Sequence, residues 1–451
     1  MPTPNPNAGI APPPKTSARA WLALLGASLA LFCTVGFLNA FGVFQKYYTT
    51  YLHGDHRSSS DISWIGSLSI FLLYAGSPFG GVLVDRIGPT IPLCVGSVGL
   101  LLALFMTSLC TQYWQLMLAQ SLLLGVSASL VFCPPLGVVL RHMPHRRGLA
   151  MGLTIGGSSI GGIVWPITLQ QLLNKDQVSF GWTIRAVAFI MMPLLAIACF
   201  TVVEPAKKPS PVSATTTPNN TVVQTDAEVQ NAPDSLNGNV TDISSEKEEK
   251  KPKSDDGTKD FLKKPMYMLL CAGLALAYLG LFTPLFYIST YAIAHGQATS
   301  TAFYLLSAIN ASSFFGRVVP GHLADTVGHY NLLTIFTFVS GLIGFTWTKA
   351  TSLAGLVVWG LAYGFSSGAV MSLQNACAGK IAPPQHQGLA VGCLMGCLSI
   401  AALIGTPISG QILDHSGYLA LSMWTGATLM AGSAVIGVSR FMTNPKLTAV
   451  F

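Results

Sequence analysis

Gly81–Gly88 reads GVLVDRIG, and Gly321–Gly328 reads GHLADTVG. Gly81, Leu83, Asp85 and Gly88 recur as Gly321, Leu323, Asp325 and Gly328, each 240 positions further on. A second pair of stretches keeps the same offset. Pro144 and Gly148-Leu149-Ala150-x-Gly152 answer to Pro384 and Gly388-Leu389-Ala390-x-Gly392, and Gly156 answers to Gly396. Several matches at one fixed spacing describe two copies of a half-molecule joined head to tail. Each glycine–aspartate stretch ends one long apolar run and precedes another.

The chain is 51% hydrophobic and only 9% charged, with a mean hydropathy of +0.54. A soluble domain carries about 25% charged residues. Of the 41 charged residues, 20 fall between Glu204 and Lys264, which leaves the apolar remainder almost uncharged. This is a membrane composition. The net charge of +7 suits loops facing anionic lipid. No compact basic cluster interleaved with aromatics marks a nucleic-acid partner. The nine cysteines sit in apolar runs, odd in number and without metal-ligand spacing, so neither a disulfide framework nor a metal site is expected. No Ser/His/Asp pattern or phosphate loop announces an enzyme, and no cofactor is implied.

A membrane span needs about 20 apolar residues. Twelve runs qualify: 20–47, 61–84, 90–111, 114–140, 149–173 and 180–203, then 265–293, 299–323, 330–349, 352–376, 388–413 and 418–439. The expected architecture is an all-α membrane protein with twelve transmembrane helices in two six-helix parallel repeats. Residues 1–18 read as a disordered cytoplasmic N-terminus, 19–204 as the first bundle and 263–440 as the second. Residues 205–262, polar and of mixed charge, read as a disordered cytoplasmic linker, and 441–451 as a cytoplasmic tail.

Basic residues set the orientation. With both termini in the cytoplasm, the inner side holds Lys15, Arg19, Arg86, Arg141, Arg146, Arg147, Lys380, Arg440 and Lys446. The outer side holds Lys46, Arg57, Lys175 and Lys349, with Arg185 just inside the sixth run. Plasma membrane is the expected location.

Gly81–Gly88 resembles the loop signature of the major facilitator superfamily, in which parallel six-span repeats are the build. The resemblance implies a latch between the two halves made of Gly81, Asp85, Arg86, Gly88 and Asp325, with Arg146 and Arg147 as basic anchors. In this reading the glycines allow a sharp turn, and Asp85 accepts hydrogen bonds from a neighbouring helix N-terminus. The stretch His145-Arg146-Arg147-Gly148-Leu149-Ala150-Met151-Gly152, running into Gly156, Gly157 and Gly161, resembles the monocarboxylate transporter family. Ser63-Trp64-Ile65-Gly66-Ser67, Phe41-Gly42-Val43-Phe44-Gln45 and Gly405-Thr406-Pro407-Ile408-Ser409-Gly410 are similar to its fungal branch.

Arg317 lies within the eighth run, eight residues before Asp325, or about 12 Å along a helix. An intramembrane arginine usually faces a cavity, where it can hold a carboxylate by two parallel hydrogen bonds. The alternative is snorkelling to the headgroups. By resemblance, its position matches the arginine that anchors the substrate carboxylate in monocarboxylate carriers. Two positions depart from the mammalian pattern: Ser313 stands where those members have a carboxylate, and Phe41-Gly42-Val43 offers no lysine. Asn39, Tyr287 and Asn375 are the further candidate substrate contacts. Gln45, Tyr278, Asn310 and Gln374 are other polar groups within the spans, and Phe44, Phe132 and Trp359 are candidate apolar walls. Outside the 204–260 stretch the acidic residues are Asp55, Asp61, Asp85, Asp176, Asp325 and Asp414, all at expected helix ends or loops. Proton coupling therefore needs another group.

Together these features predict a monomeric secondary active transporter of alternating-access type, in contact with the bilayer and a small-molecule substrate. The expected cargo is a small organic anion or monocarboxylate-type metabolite, with protons as a candidate co-substrate. The rival readings are a carrier of a neutral or larger metabolite, such as a secondary product or vitamin, and a non-transporting receptor on the same scaffold.

Overall fold

The computed structural model describes residues 17–51, 59–175, 178–205 and 260–443. Helix α1 runs in three segments, Ala18–Cys33, Val35–Leu38 and Phe41–Tyr51. Helix α2 runs in two, Ser59–Ala75 and Ser77–Ile87. Then come α3 (Thr90–Thr107), α4 (Tyr113–His142), α5 (Arg147–Gln170, extended by a π turn over Gln171–Lys175) and α6 (Phe180–Thr201). The second repeat supplies α7 (Pro265–Leu281 and Thr283–Ala294), α8 (Thr299–Val327), α9 (His329–Phe345) and α10 (Leu353–Ile381). Gly417, at φ 74°, divides the long helix Gln387–Thr443 into α11 (387–416) and α12 (418–443). The twelve helices form two six-helix repeats, and no strand occurs among the described residues.

Apolar composition makes these segments helical, because in lipid every backbone group must be satisfied within the segment. The breaks have local causes. Gly76 precedes Pro78 in α2, and Phe282 precedes Pro284 in α7. Proline removes one backbone donor and crowds the preceding turn. Gly88 (φ 85°) and Gly328 (φ 105°) make the α2–α3 and α8–α9 turns in the left-handed region. Glycine is the residue that enters that region without penalty, which explains why the stretch recurs with both glycines intact.

The linker begins to fold sooner than its composition suggests. Residues 260–263 form a helical turn in which Phe261 is 3% exposed, packed on Tyr267 and His386. The remaining linker, residues 1–16 and the tail from 444 onward lie outside the described residues.

The described helices make one compact unit, in which α5 lies on α8 and α2 lies on α11. Backbones touch along this seam. A Cβ on Gly148 would stand 2.1 Å from the Gly321 carbonyl oxygen, and one on Gly81 would stand 2.3 Å from that of Gly388. Lipid tails are as apolar as leucine, so helix association in a bilayer rests on such close van der Waals packing. The outer faces carry large apolar side chains such as Phe200 (83% exposed) and Phe79 (79%), as hydrocarbon contact requires.

Candidate functional site

At the end of the bundle that carries Gly88 and Gly328, two carboxylates bridge the repeats. Asp85 on α2 accepts from the backbone nitrogens of Leu389 (2.7 Å) and Gly388 (3.3 Å) at the start of α11. Asp325 on α8 accepts from Gly148 (2.8 Å) and Leu149 (3.1 Å) at the start of α5. First-turn amides have no partner within their own helix and carry partial positive charge, so a carboxylate satisfies both deficits. The second neighbours of the two carboxylates differ. Arg141 of α4 forms an ion pair with Asp85 and another with Glu204, whereas His329 Nε2 lies 3.2 Å from Asp325. Arg147 Nη1 adds a third tie across the repeats, donating to the Gly379 carbonyl at 3.0 Å. This end of the seam is shut.

Behind this closure lies a small cavity between the repeats. It has about 20 Å³ of free space, room for about one water molecule. Leu31 and Val35 (α1), Tyr74 (α2), Phe132 (α4) and Ile155 and Ser158 (α5) line it from the first repeat. Tyr278 (α7), Arg317 (α8), Met371, Gln374 and Asn375 (α10) and Met395 (α11) line it from the second.

Arg317 is 3% exposed and points into this cavity, so it does not reach the headgroups. Its Nη1 donates across the seam to the Ile155 carbonyl and to Ser158 Oγ, each at 2.7 Å, and Nη2 lies 3.2 Å from Met371 Sδ. Its Nε has no hydrogen-bond partner. Gln374 Nε2 donates to the Tyr278 hydroxyl at 2.6 Å, and the Tyr278 and Tyr74 hydroxyls interact in turn. Asn375 Nδ2 donates to the Met371 carbonyl at 3.2 Å, which leaves Asn375 Oδ1 without a partner.

Of the four residues expected to touch substrate, Arg317 and Asn375 come together and two stand apart. Asn39 is not among the lining residues. Its Nδ2, with Asn310 Oδ1, flanks Gly162, at 3.3 and 2.9 Å from where a Cβ would be. Tyr287 donates to the Thr406 carbonyl at 3.4 Å, also away from the cavity. Among the expected latch residues, Gly81, Asp85, Gly88, Asp325 and Arg147 meet at the closed end. Arg86 and Arg146 are exposed there. The pairing with Asp85 falls to Arg141, one repeat-internal helix away. Phe132 is a wall of the cavity, but Phe44 packs on Phe37, Tyr48 and Phe180. Trp359 stacks between Trp347 and Tyr363. Tyr74, Ser158 and Met371 escaped the sequence reading, since nothing in an apolar run tells which hydroxyl or thioether faces the cavity until its neighbours are known.

Two six-helix repeats meeting around a largely apolar cavity that holds a buried arginine, shut at one end by matched bridges, define a membrane transporter. The chain belongs to the Major Facilitator Superfamily, whose profile matches residues 25–373 and 321–450. It is 50% identical over 431 residues to an MFS-type transporter of Aspergillus fumigatus, covering 96% of this chain and 94% of the relative. It is 45% identical to the agnestins efflux protein of Paecilomyces divaricatus (96% of this chain, 91% of the relative). With the aspyridones efflux protein of Emericella nidulans it shares 35% identity (94% of this chain, 78% of the relative). The fold is similar to the human organic anion transporter MFSD10, with a TM-score of 0.66 at 14% identity over 94% of this chain and all of that one.

Proposed function

We propose that this chain exports an organic acid metabolite by alternating access, and that Arg317 holds the acid group of the cargo. The observation that carries the reading is Arg317 itself, a guanidinium 3% exposed at the seam between the repeats, with one nitrogen unpartnered. Burying such a charge is costly unless it is paired. Here it has neutral partners alone, so an anion is the natural complement. In the closed form Arg317 ties α8 to α5 through Ile155 and Ser158. A cargo carboxylate competes with these two acceptors for the Arg317 N–H donors, so binding loosens one cross-seam tie. The Asp85 and Asp325 bridges then serve as the latch that breaks when the cavity opens to the other side.

Several further features belong to this reading. The excess of basic residues near the Gly88 end supports a cytoplasmic position for that end and for both termini, and the plasma membrane is the membrane proposed. The resemblance to the monocarboxylate branch supports an acid as cargo, and the efflux proteins among its relatives support outward movement. A second reading, export of a larger or neutral metabolite with Arg317 as a structural tie, is favoured by its two existing bonds across the seam.

Proteoliposomes holding the Arg317→Gln variant separate the two. Losing a charged hydrogen bond of about 1.5–3 kcal/mol lowers transport of labelled acids at least about tenfold. Unchanged affinity for acids, in a panel that includes neutral metabolites and is run with and without a pH gradient, overturns the acid reading.

A further inference from the structure

Asn375 is a buried amide whose orientation is set by its neighbour. It is 1% exposed, and its Nδ2 donates to the Met371 carbonyl one turn back on α10. A carbonyl oxygen cannot meet another carbonyl there, so Oδ1 is left buried as an acceptor without a donor, on a residue that lines the cavity. The adjacent Gln374 repeats the pattern: its amide nitrogen is taken by Tyr278, and its Oε1 has no partner. Arg317 lines the same cavity with an unpartnered donor, Nε. The residues that line the cavity therefore include one cationic donor and two unsatisfied acceptors, among apolar and aromatic walls such as Phe132.

We infer that the cargo carries a hydrogen-bond donor, a hydroxyl or amide N–H, beside its acid group, and that Asn375 Oδ1 receives it. The inference rests on the reading of Arg317 as the acid-binding group, and names the class further as a hydroxy or amido acid on an apolar, aromatic body. A plain carboxylate offers only acceptors. It satisfies Arg317 and leaves Asn375 unpaired in a space with no room for much water, whereas a donor beside the carboxylate satisfies both. An unpaired buried acceptor weakens binding by roughly five- to a hundredfold.

The test uses the full-length chain in proteoliposomes with two labelled probes, 3-phenyllactate and 3-phenylpropanoate, equal in charge and skeleton and different by one hydroxyl. The expected result is a kcat/KM for phenyllactate at least about tenfold above that for phenylpropanoate. The Asn375→Ala variant, checked for folding by its unfolding midpoint, brings the ratio to about twofold or less. Equal wild-type values overturn the inference even if the variant does not fold. If Arg317→Gln depresses both acids while the wild type ignores the hydroxyl, the acid reading stands and this inference falls. If the wild type prefers the hydroxy acid but Arg317→Gln changes neither rate, the donor requirement stands and the acid reading falls. A wild type that carries neither probe overturns both.

Discussion

Asp85 Oδ2 accepts a 2.7 Å hydrogen bond from the backbone nitrogen of Leu389, 304 positions along the chain and in the other repeat. Its counterpart Asp325 does the same to Gly148 at 2.8 Å. In both, a carboxylate at the end of an even-numbered helix meets the first turn of an odd-numbered one across the seam. The duplication thus yields two bridges, and neither copy can make either alone.

These bridges give the first prediction. Asp85→Asn or Asp325→Asn removes the charge from a pair of helix amides, a loss of about 1.5–3 kcal/mol each. Both variants are expected to open the Gly88 end more often. With a cysteine placed at Met371 in a background lacking reactive native cysteines, labelling by an impermeant maleimide from that side should rise several-fold. Unchanged labelling refutes the role of the bridges.

A second prediction follows from backbone contact. A Cβ on Gly152 would stand 2.3 Å from the Arg317 carbonyl oxygen, whereas one on Gly42 meets nothing within 4 Å. Gly152→Ala should force α5 off α8, costing about 1–3 kcal/mol and most of the transport. Gly42→Ala should change neither. Unfolding midpoints and flux, measured side by side, check the contrast.

Ser158 shares the Arg317 Nη1 donor with the Ile155 carbonyl. Ser158→Ala removes a competitor for the guanidinium without removing the guanidinium. The expected outcome is acid binding up to about tenfold tighter, with slower exchange, because one ordinary hydrogen bond no longer has to break. Weaker binding in a titration would place Ser158 on the cargo instead.

Trp359 supports the bundle and stands apart from the cavity. It stacks on Trp347 at 5.5 Å and on Tyr363 at 5.1 Å, and its indole N–H donates to the Ile343 carbonyl. Trp359→Ala should cost about 3–5 kcal/mol of stability. The ratio of transport rates between any two cargoes should stay as it is, which a thermal scan and a paired flux assay together establish.

The amino-acid order alone determined the twelve spans, their division into two repeats and the turns at Gly88 and Gly328. These features answer to local physics: a bilayer demands a long apolar run for each crossing, and a left-handed turn demands glycine. It also singled out Arg317 and Asn375, since polar groups in such runs are costly wherever they lie. Tertiary structure alone decided which of them share a space. Helices apolar all round carry no periodic mark of the face they turn inward, so Asn39 and Tyr287 read like Asn375 until the bundle closed. The partners of Asp85 lie beyond any local pattern: Arg141 of α4 pairs with it, while Arg86, on the same helix as Asp85, stays exposed.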